Sequence, residues 1–437
     1  MKVFILAVLP LLMSSPLFAQ SQSPNHWTLE QCIDFAIKNN LTVKYYDVSI
    51  RQKEVALNTA QMSLLPVVSG GASQSFGFGR ALTSSNTYEQ RNTSNTSFSI
   101  GASAVLFQGF YRKNNISASR LNLNVAKLEQ ENVKNDLTLN IISAYLKILL
   151  ADELMQVNSM SLGLSREQLA MMARQRDLGR RTDADVISAR AVIVRDSASY
   201  VSSLNDYKLS ILELCQLMEL DEDSFSIQPP DGNVEFCVLD SPEQVFDIAS
   251  HDRPEIKSAE LRSVIAERQT SIARSNFFPT LKVSAGLSSN YYKTDGWANA
   301  SFANQIRNNF SQSVTFSLSV PIFSAFSSRN SLQAARLQHE QAEIQLNVER
   351  NSLKKAIEQA FFDVSAAQSS YVSCLLADSV SLDAYNIVHT KFVNGKSSRL
   401  ELDEARYDWL KAESSLVVAK YELLLKLKIW DFYRGQF

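Results

Sequence analysis

Apolar positions follow two different rules in alternating stretches of this chain. Phe98, Ile100, Ala102, Ala104 and Leu106 alternate with Ser97, Ser99, Gly101, Ser103 and Val105. Leu281, Val283, Ala285 and Leu287 do the same with Lys282, Ser284, Gly286 and Ser288, and Val314, Phe316, Leu318, Val320 and Ile322 with Thr315, Ser317 and Ser319. Val67–Phe78 follows the rule more weakly. A period of two predicts amphipathic strands, apolar on one side and small or polar on the other. The polar connectors between strands, Arg80–Thr93 and Asp295–Asn309, are expected to be exposed loops.

Elsewhere the spacing is helical. Between Phe110 and Leu178 there is no proline and one glycine, Gly163; between Ser327 and Asn394 there is neither. Helices through such runs would be ~100 Å long at a rise of ~1.5 Å per residue, far longer than an ordinary globular helix. Leu121, Val125, Leu128, Leu139, Ile142, Leu146 and Leu149 follow a seven-residue spacing, interrupted by Asn132 and Asn135. That seam predicts helices packed side by side as in a coiled coil. Shorter helices are expected over Leu29–Leu64, Asp183–Glu219, Glu243–Phe277 and Ser398–Trp430.

The chain is written twice. Leu64-Leu65-Pro66 returns as Phe277-Phe278-Pro279, and Glu30-Gln31 with Ala36 returns as Glu243-Gln244 with Ala249. Leu106-Phe107, Phe110 and Asn114 return as Ile322-Phe323, Phe326 and Asn330; Gly179, Ala189 and Arg190 return as Gly395, Ala405 and Arg406. A first repeat over 20–220 thus carries a hairpin (about 67–108), a long helix (about 110–178) and a helix (about 183–219). A linker over 221–240, with Pro229-Pro230-Asp231-Gly232 as its turn, leads to a second repeat over 241–437. That repeat has its hairpin at about 280–324, its long helix at about 327–394 and its last helix at about 398–430.

Residues 1–19 read as an export signal: Lys2, the apolar Val3–Met13, then Ser14-Ser15-Pro16-Leu17-Phe18-Ala19 before Gln20. The apolar run is too short to span a bilayer as a helix. The mature chain is expected to start at Gln20 and, with no cysteine near that point, to carry no lipid anchor there. A formal net charge of −2 over 437 residues, with no basic block, speaks against nucleic acid as a partner. Cys32, Cys215, Cys237 and Cys374 make no C-x-x-C pair, leaving open buried thiols or a Cys215–Cys237 disulfide. His26, His251, His339 and His389 lack ligand spacing, so no metal site is expected.

No later stretch approaches ~18 consecutive apolar residues, so no transmembrane helix is expected. Strands of ~9–11 residues can nevertheless cross an outer membrane. A soluble sandwich is the alternative, but four strands beside very long helices have little to bury against. Four strands cannot close a barrel, for which bacterial examples start at about eight, and open edges are not tolerated in lipid. If these strands enter the membrane, several copies must complete one barrel.

The order helix, hairpin, very long helix, helix, written twice, resembles the TolC-like outer-membrane efflux family. Leu65-Pro66 and Phe278-Pro279 precede the first strand of each half. Leu106-Phe107-Gln108-Gly109 and Pro321-Ile322-Phe323-Ser324 are similar to the family's P-L-F-x-G signature after the second strand. Arg253-Pro254-Glu255 matches its R-P-E, and Phe392-Val393-Asn394-Gly395 resembles its Y-x-x-G tip motif. The resemblance implies a mainly α chain with a membrane β-barrel contribution. Three copies would form a twelve-stranded barrel in the outer membrane and an α-helical tunnel across the periplasm. It implies a periplasmic adaptor and an inner-membrane pump as partners, and a passive exit duct for efflux or type I secretion that needs no cofactor.

The same resemblance nominates site residues. The tunnel would narrow where helices turn at Leu178-Gly179-Arg180 and Asn394-Gly395-Lys396, tips that would also meet the adaptor. Glu401 and Glu404 match two acidic residues that line the aperture; spaced i, i+3 they share one helix face, and a ring of them would attract cations. A merely solvated face remains the alternative. Asp185 and Phe392 match positions that help lock the tip, but the usual arginine partner is Ser397 here and Phe392 lacks the tyrosine hydroxyl. Arg180, Arg181 and Arg399 are the available substitutes. No G-x-S-x-G, H-E-x-x-H or histidine beside a nucleophile and acid occurs, so an enzyme is not expected. A soluble periplasmic coiled-coil scaffold, the other rival, has no use for four alternating strands.

Overall fold

A computed structural model describes residues 27–82, 86–221, 225–228 and 239–435. The expected export signal, His26, the Pro229–Gly232 turn, Cys237 with its possible disulfide, and the terminal Phe437 lie outside the described residues. The first half contains α1 (Leu29–Asn39), α2 (Leu41–Met62), β1 (Val67–Gly77), a small hairpin of β2 (Arg80–Leu82) and β3 (Tyr88–Gln90), β4 (Thr93–Gln108), α3 (Tyr111–Asp177) and α4 (Asp183–Met218). The second contains α5 (Pro242–Asp252), α6 (Pro254–Ser275), β5 (Thr280–Thr294), α7 (Phe302–Asn308), β6 (Ser311–Ser319), α8 (Ser327–Val393) and α9 (Arg399–Arg434).

Each expected leading helix is in fact two. Asn40 breaks the first, its side chain accepting from the Thr42 and Val43 N–H groups at 2.9 and 3.4 Å; a new N-cap ends α1 and starts α2. Arg253 breaks the second, because the residue before Pro254 is pushed out of the helical region, here to ψ 130°. Both breaks are pinned to the end of the half's last helix. Asn40 Nδ2 donates to Leu217 O at 3.0 Å, and the Arg253 guanidinium donates to Phe432 O and lies over the Phe432 ring.

The connectors also differ from plain loops. The first folds into the β2–β3 hairpin. The second carries α7, whose Gln305 side chain both accepts from Tyr292 N and donates to Tyr292 O on β5. Phe302 sets its ring against Tyr291 and Phe98.

The four long strands make one antiparallel sheet in the order β1-β4-β5-β6. Opposed residues share a face, so the register gathers Phe98, Ile100 and Ala102 with Leu287, Ala285, Val314 and Phe316 on one side. The other side collects Ser97, Ser99, Gly101, Ser103, Ser284, Gly286, Ser288, Ser313, Thr315 and Ser317. Leu106 leaves the expected alternation: the register shifts between Val105 and Phe107, and Phe107 rather than Leu106 stands opposite Leu281. A bulge there is the reason. Beyond it the chain turns into each long helix through two left-handed residues, Gly109 and Phe110 in one half and Ala325 and Phe326 in the other. A Cβ on Gly109 would lie 2.7 Å from Phe278 Cβ, so that corner needs glycine.

Burial repeats with the sequence. Leu137, Ile141, Ala144 and Ile148 of α3 and Leu353, Ile357, Ala360 and Val364 of α8 are buried at matching positions. The first set packs with Trp27, Cys32, Leu214 and Met218, the second with Val245, Ala249 and Trp430. Burial pushes the Cys32 thiol up to about 12, an inert core thiol. In their lower reaches, away from the sheet, α4 packs on α3, α3 on α9 and α9 on α8; nearer the sheet α2 packs on α3 and α6 bridges α3 and α8. No helix of the described residues is long and apolar enough to cross a membrane.

Candidate functional site

The end of the helical body opposite the sheet is built from two turns that answer one another. Leu178 caps α3, and Gly179 turns left-handed at φ 74° while Arg180 N–H reaches back to Gln175 O at 2.8 Å. Asn394 caps α8, and Gly395 does the same at φ 73° while Lys396 N–H reaches Lys391 O at 2.8 Å. This is the glycine-terminated helix stop in which the sixth residue bonds back to the first. Arg180 and Lys396 are both exposed.

Each returning helix starts with a capping box. Thr182 Oγ1 accepts from the Asp185 N–H at 3.3 Å, while the Asp185 carboxylate accepts from the Thr182 N–H at 3.0 Å and hydroxyl at 2.9 Å. Ser398 and Glu401 repeat the arrangement at 3.2 and 3.3 Å, and Ser397 Oγ donates to the same Glu401 carboxylate. These donors hold both carboxyls below the usual range: the Thr182 N–H and hydroxyl for Asp185, the Ser397 hydroxyl and then the Ser398 N–H for Glu401. Ser397, standing where an arginine was expected, therefore serves Glu401. Within one chain, then, the cap keeps the Glu401 carboxylate charged. The motif [ST]-x-x-[DE] was readable in both places as Thr182–Asp185 and Ser398–Glu401.

Glu401 and Glu404 are both exposed on α9, one turn apart. Asp185 is met by Arg399, not through its carboxylate but through its main-chain oxygen, to which Arg399 Nη1 donates at 2.6 Å. Arg399 also donates to Asp403, 3.3 Å away, and Asp403 accepts from Gln168 of α3 at 2.7 Å. Phe392 is buried with Met172, Val186, Ala189 and Leu402, and the Arg181 guanidinium lies 5.4 Å from its ring centroid. Of the three arginines, Arg399 joins the two tips, Arg181 covers Phe392 and Arg180 lies exposed at its turn.

The sequence did not reveal the cluster behind the tip. Arg406, buried, donates to Asp196 of α4 at 2.8 Å and to Ser165 of α3 at 2.9 Å. Ser165 and Ser161 donate to the same Asp196 oxygen. The ion pair is nearly sealed, with side-chain exposures of 8% and 9%. Arg190, the residue equivalent to Arg406 in the first half, is exposed, so duplication alone gave no signal. Among the described residues no group of His, Cys, Asp and Glu is placed to hold a metal ion.

A family model for the outer membrane efflux protein matches residues 32–218 and 245–428, once over each half. Protein CyaE of Bordetella pertussis is 22% identical over 396 residues, 90% of this chain and 81% of that protein. The outer membrane efflux protein BepC of Brucella suis is 20% identical over 404 residues, 91% of this chain and 83% of its own. The fold is shared with the CmeC outer membrane channel of Campylobacter jejuni at a TM-score of 0.82 and 18% identity, over 94% of this chain and 86% of that one. With a model of the family covering most of both repeats and channel folds aligned along nearly the whole length, the chain belongs to the outer membrane efflux protein family: an outer-membrane protein reaching into the periplasm, and not an enzyme.

Proposed function

We propose that three copies of this chain form one passive exit duct, with twelve strands as a barrel in the outer membrane and twelve helices as a tunnel below it. The observation that carries this reading is the four-stranded sheet, apolar on one face and serine-rich on the other, whose outer strands β1 and β6 each leave one edge without a partner among the described residues. Such edges are not tolerated in lipid, and a rotation that brings β6 of one copy to β1 of the next satisfies both. The small, polar face then lines the bore and the apolar face meets lipid. Cargo enters from a periplasmic adaptor and an inner-membrane pump, which supplies the energy. The tips at Gly179-Arg180 and Gly395-Lys396 make the adaptor contact, and Glu401 and Glu404 ring the aperture. The Arg399–Asp185 bridge, with Phe392 packed beneath it, takes the place of the family's tip lock.

The test is location and mass. The protein should fractionate with the outer membrane and cross-link as a trimer in detergent. A monodisperse monomer that stays soluble without detergent overturns the duct and leaves the scaffold.

A further inference from the structure

We infer that a basic collar just below the sheet binds the phosphate headgroups of anionic lipids in the periplasmic leaflet of the outer membrane. This goes beyond the proposed duct and rests on its placing the sheet in that membrane. From Tyr111 to Leu128, α3 carries Arg112, Lys113, Arg120 and Lys127 and no acidic residue. From Ser327 to His339, α8 carries Arg329 and Arg336 and again no acid. The two halves repeat the arrangement. Lys113 and Arg329 are each the third residue of their helix; Arg120 and Arg336 follow seven residues later, and all four are exposed. Further down the wall, charge is paired, Arg262 with Glu129 at 2.5 Å and Arg350 with Glu260 at 2.8 Å. Among the described residues, Lys113, Arg120, Arg329 and Arg336 have no such carboxylate.

Near the sheet α3 is flanked by α2 and α6 of its own chain, so an exposed side chain there faces either the bore or the outside. Seven-residue steps from Lys113 and Arg120 reach Ile141 and Ile148, and steps from Arg329 and Arg336 reach Ile357 and Val364. A seven-residue repeat keeps to one side of helices packed along one another. α1 covers the first pair and α5 the second. A second layer of helices cannot lie within an open bore, so the collar faces outward on the same side. Height then selects the occupant. The long helices start directly below the sheet, and headgroups occupy ~5–7 Å on each side of a hydrocarbon core of ~30 Å. Exposed Phe110 and Phe326, at the corners, mark the apolar boundary just above. Lys113 and Arg329 stand in the headgroup layer. Arg120 and Arg336, ~10 Å lower, extend toward it on long side chains. Lipid phosphate is the anion held at that depth, and unpaired Lys and Arg beside it bind through charge.

The test uses the full-length protein reconstituted in phosphatidylcholine vesicles with a trace of spin-labelled lipid, either phosphatidylglycerol or phosphatidylcholine. Electron spin resonance reads how much of each label is immobilised against the protein. Wild type should hold phosphatidylglycerol over phosphatidylcholine by ~5-fold, the effect of about one Lys or Arg at an anionic surface, and salt at about 1 M should erase the difference. Lys113→Gln, Arg120→Gln, Arg329→Gln and Arg336→Gln together should cut the ratio at least ~3-fold, glutamine keeping the helices intact. Lys208→Gln with Lys411→Gln, on α4 and α9 away from the sheet, should leave it unchanged. A ratio near unity in wild type, or one that the four substitutions do not move, in protein that inserts as a trimer overturns the collar and leaves the duct standing. A shifted reversal potential with an unmoved lipid ratio also overturns it, placing these charges in the bore. Loss of co-sedimentation with purified peptidoglycan, again with the lipid ratio unmoved, overturns it in favour of the cell-wall polymer. Protein that never enters the vesicles takes away the duct and the collar with it.

Discussion

Arg406 Nη2 lies 2.8 Å from Asp196 Oδ2, although 210 residues separate the two along the chain. The pair joins the last helix of the second half to the last helix of the first, through a buried gap that Ser165 of α3 also lines. Burying such a pair gives little net stability, but removing one partner strands the other's charge out of water. Arg406→Ala should therefore cost ~3–5 kcal/mol, while Arg406→Met with Asp196→Leu should recover most of it. Melting curves of the detergent-solubilised protein decide; two single variants within ~1 kcal/mol of wild type would show that water reaches the pair.

The capping boxes give separable predictions. Thr182→Ala or Ser398→Ala should destabilise its helix start by ~0.5–2 kcal/mol. Glu401→Gln keeps the box, because glutamine accepts from the same N–H.

That distinction makes the aperture testable without disturbing the fold. Glu401→Gln with Glu404→Gln should abolish cation preference and block by multivalent cations in reconstituted channels, read as reversal potential under a salt gradient. Glu340→Gln with Glu343→Gln, on α8 and far from either tip, should leave both intact. Unchanged selectivity in the tip variant would return these glutamates to an ordinary solvated face.

In the sheet, Ile100→Arg or Leu318→Arg should cost ~2–4 kcal/mol of insertion if the residue sits near the lipid midplane. The same change at Ser99 or Ser317, on the opposite face of the register, should be far milder. Equal assembly defects at all four positions would mean that the face assignment is wrong.

Asp378 on α8 and Glu413 on α9 each keep a carboxyl oxygen buried without a hydrogen-bond partner. Burial raises both carboxyls, and Asp378 raises Glu413 further. A raised carboxyl favours the protonated fold: stability is greatest below the ordinary carboxylate range and falls as pH rises from there through the raised value. The α8–α9 pairing should thus melt lower at pH 8 than at pH 5; Asp378→Asn should remove part of that difference, and Asp378→Asn with Glu413→Gln most of it. A wild-type melt that rises from pH 5 to pH 8, with Asp378→Asn tracking it, would contradict the assignment.

Regular spacing was what the sequence showed most clearly. The absence of proline from 110 to 178 and from 327 to 394 left little besides a long helix, and α3 and α8 fill those runs. The seven-residue seam on α3 was incomplete: Ile141, Tyr145 and Ile148 are buried as well, because α1, α2, α4, α6 and α9 surround that helix and bury more than one stripe. Asn40 and Arg253 looked like interior helix residues. Each break has a local cause, the Asn40 cap and the proline after Arg253, but the partners that pin them, Leu217 and Phe432, lie far away in sequence and no local pattern supplies them. At the tip, glycine spacing placed the turns, while Arg406 and Asp403 carried no local signature at all.

The serine-rich face of the sheet has a mechanical consequence. Hydroxyls there already satisfy one another, Ser73 with Ser97 and Ser288 with Ser311, each at 2.7 Å. Side chains of that size barely protrude, and between Ser284 and Asn290 or Ser311 and Ser319 none is charged. In the proposed barrel this stretch of wall would offer passing cargo neither counter-ion nor grease, with Lys282, opposite Ser317, bringing a charge to the same face only nearer the helices. In the proposed duct, sorting would then be left to the tip, and the sheet would work as a low-friction sleeve.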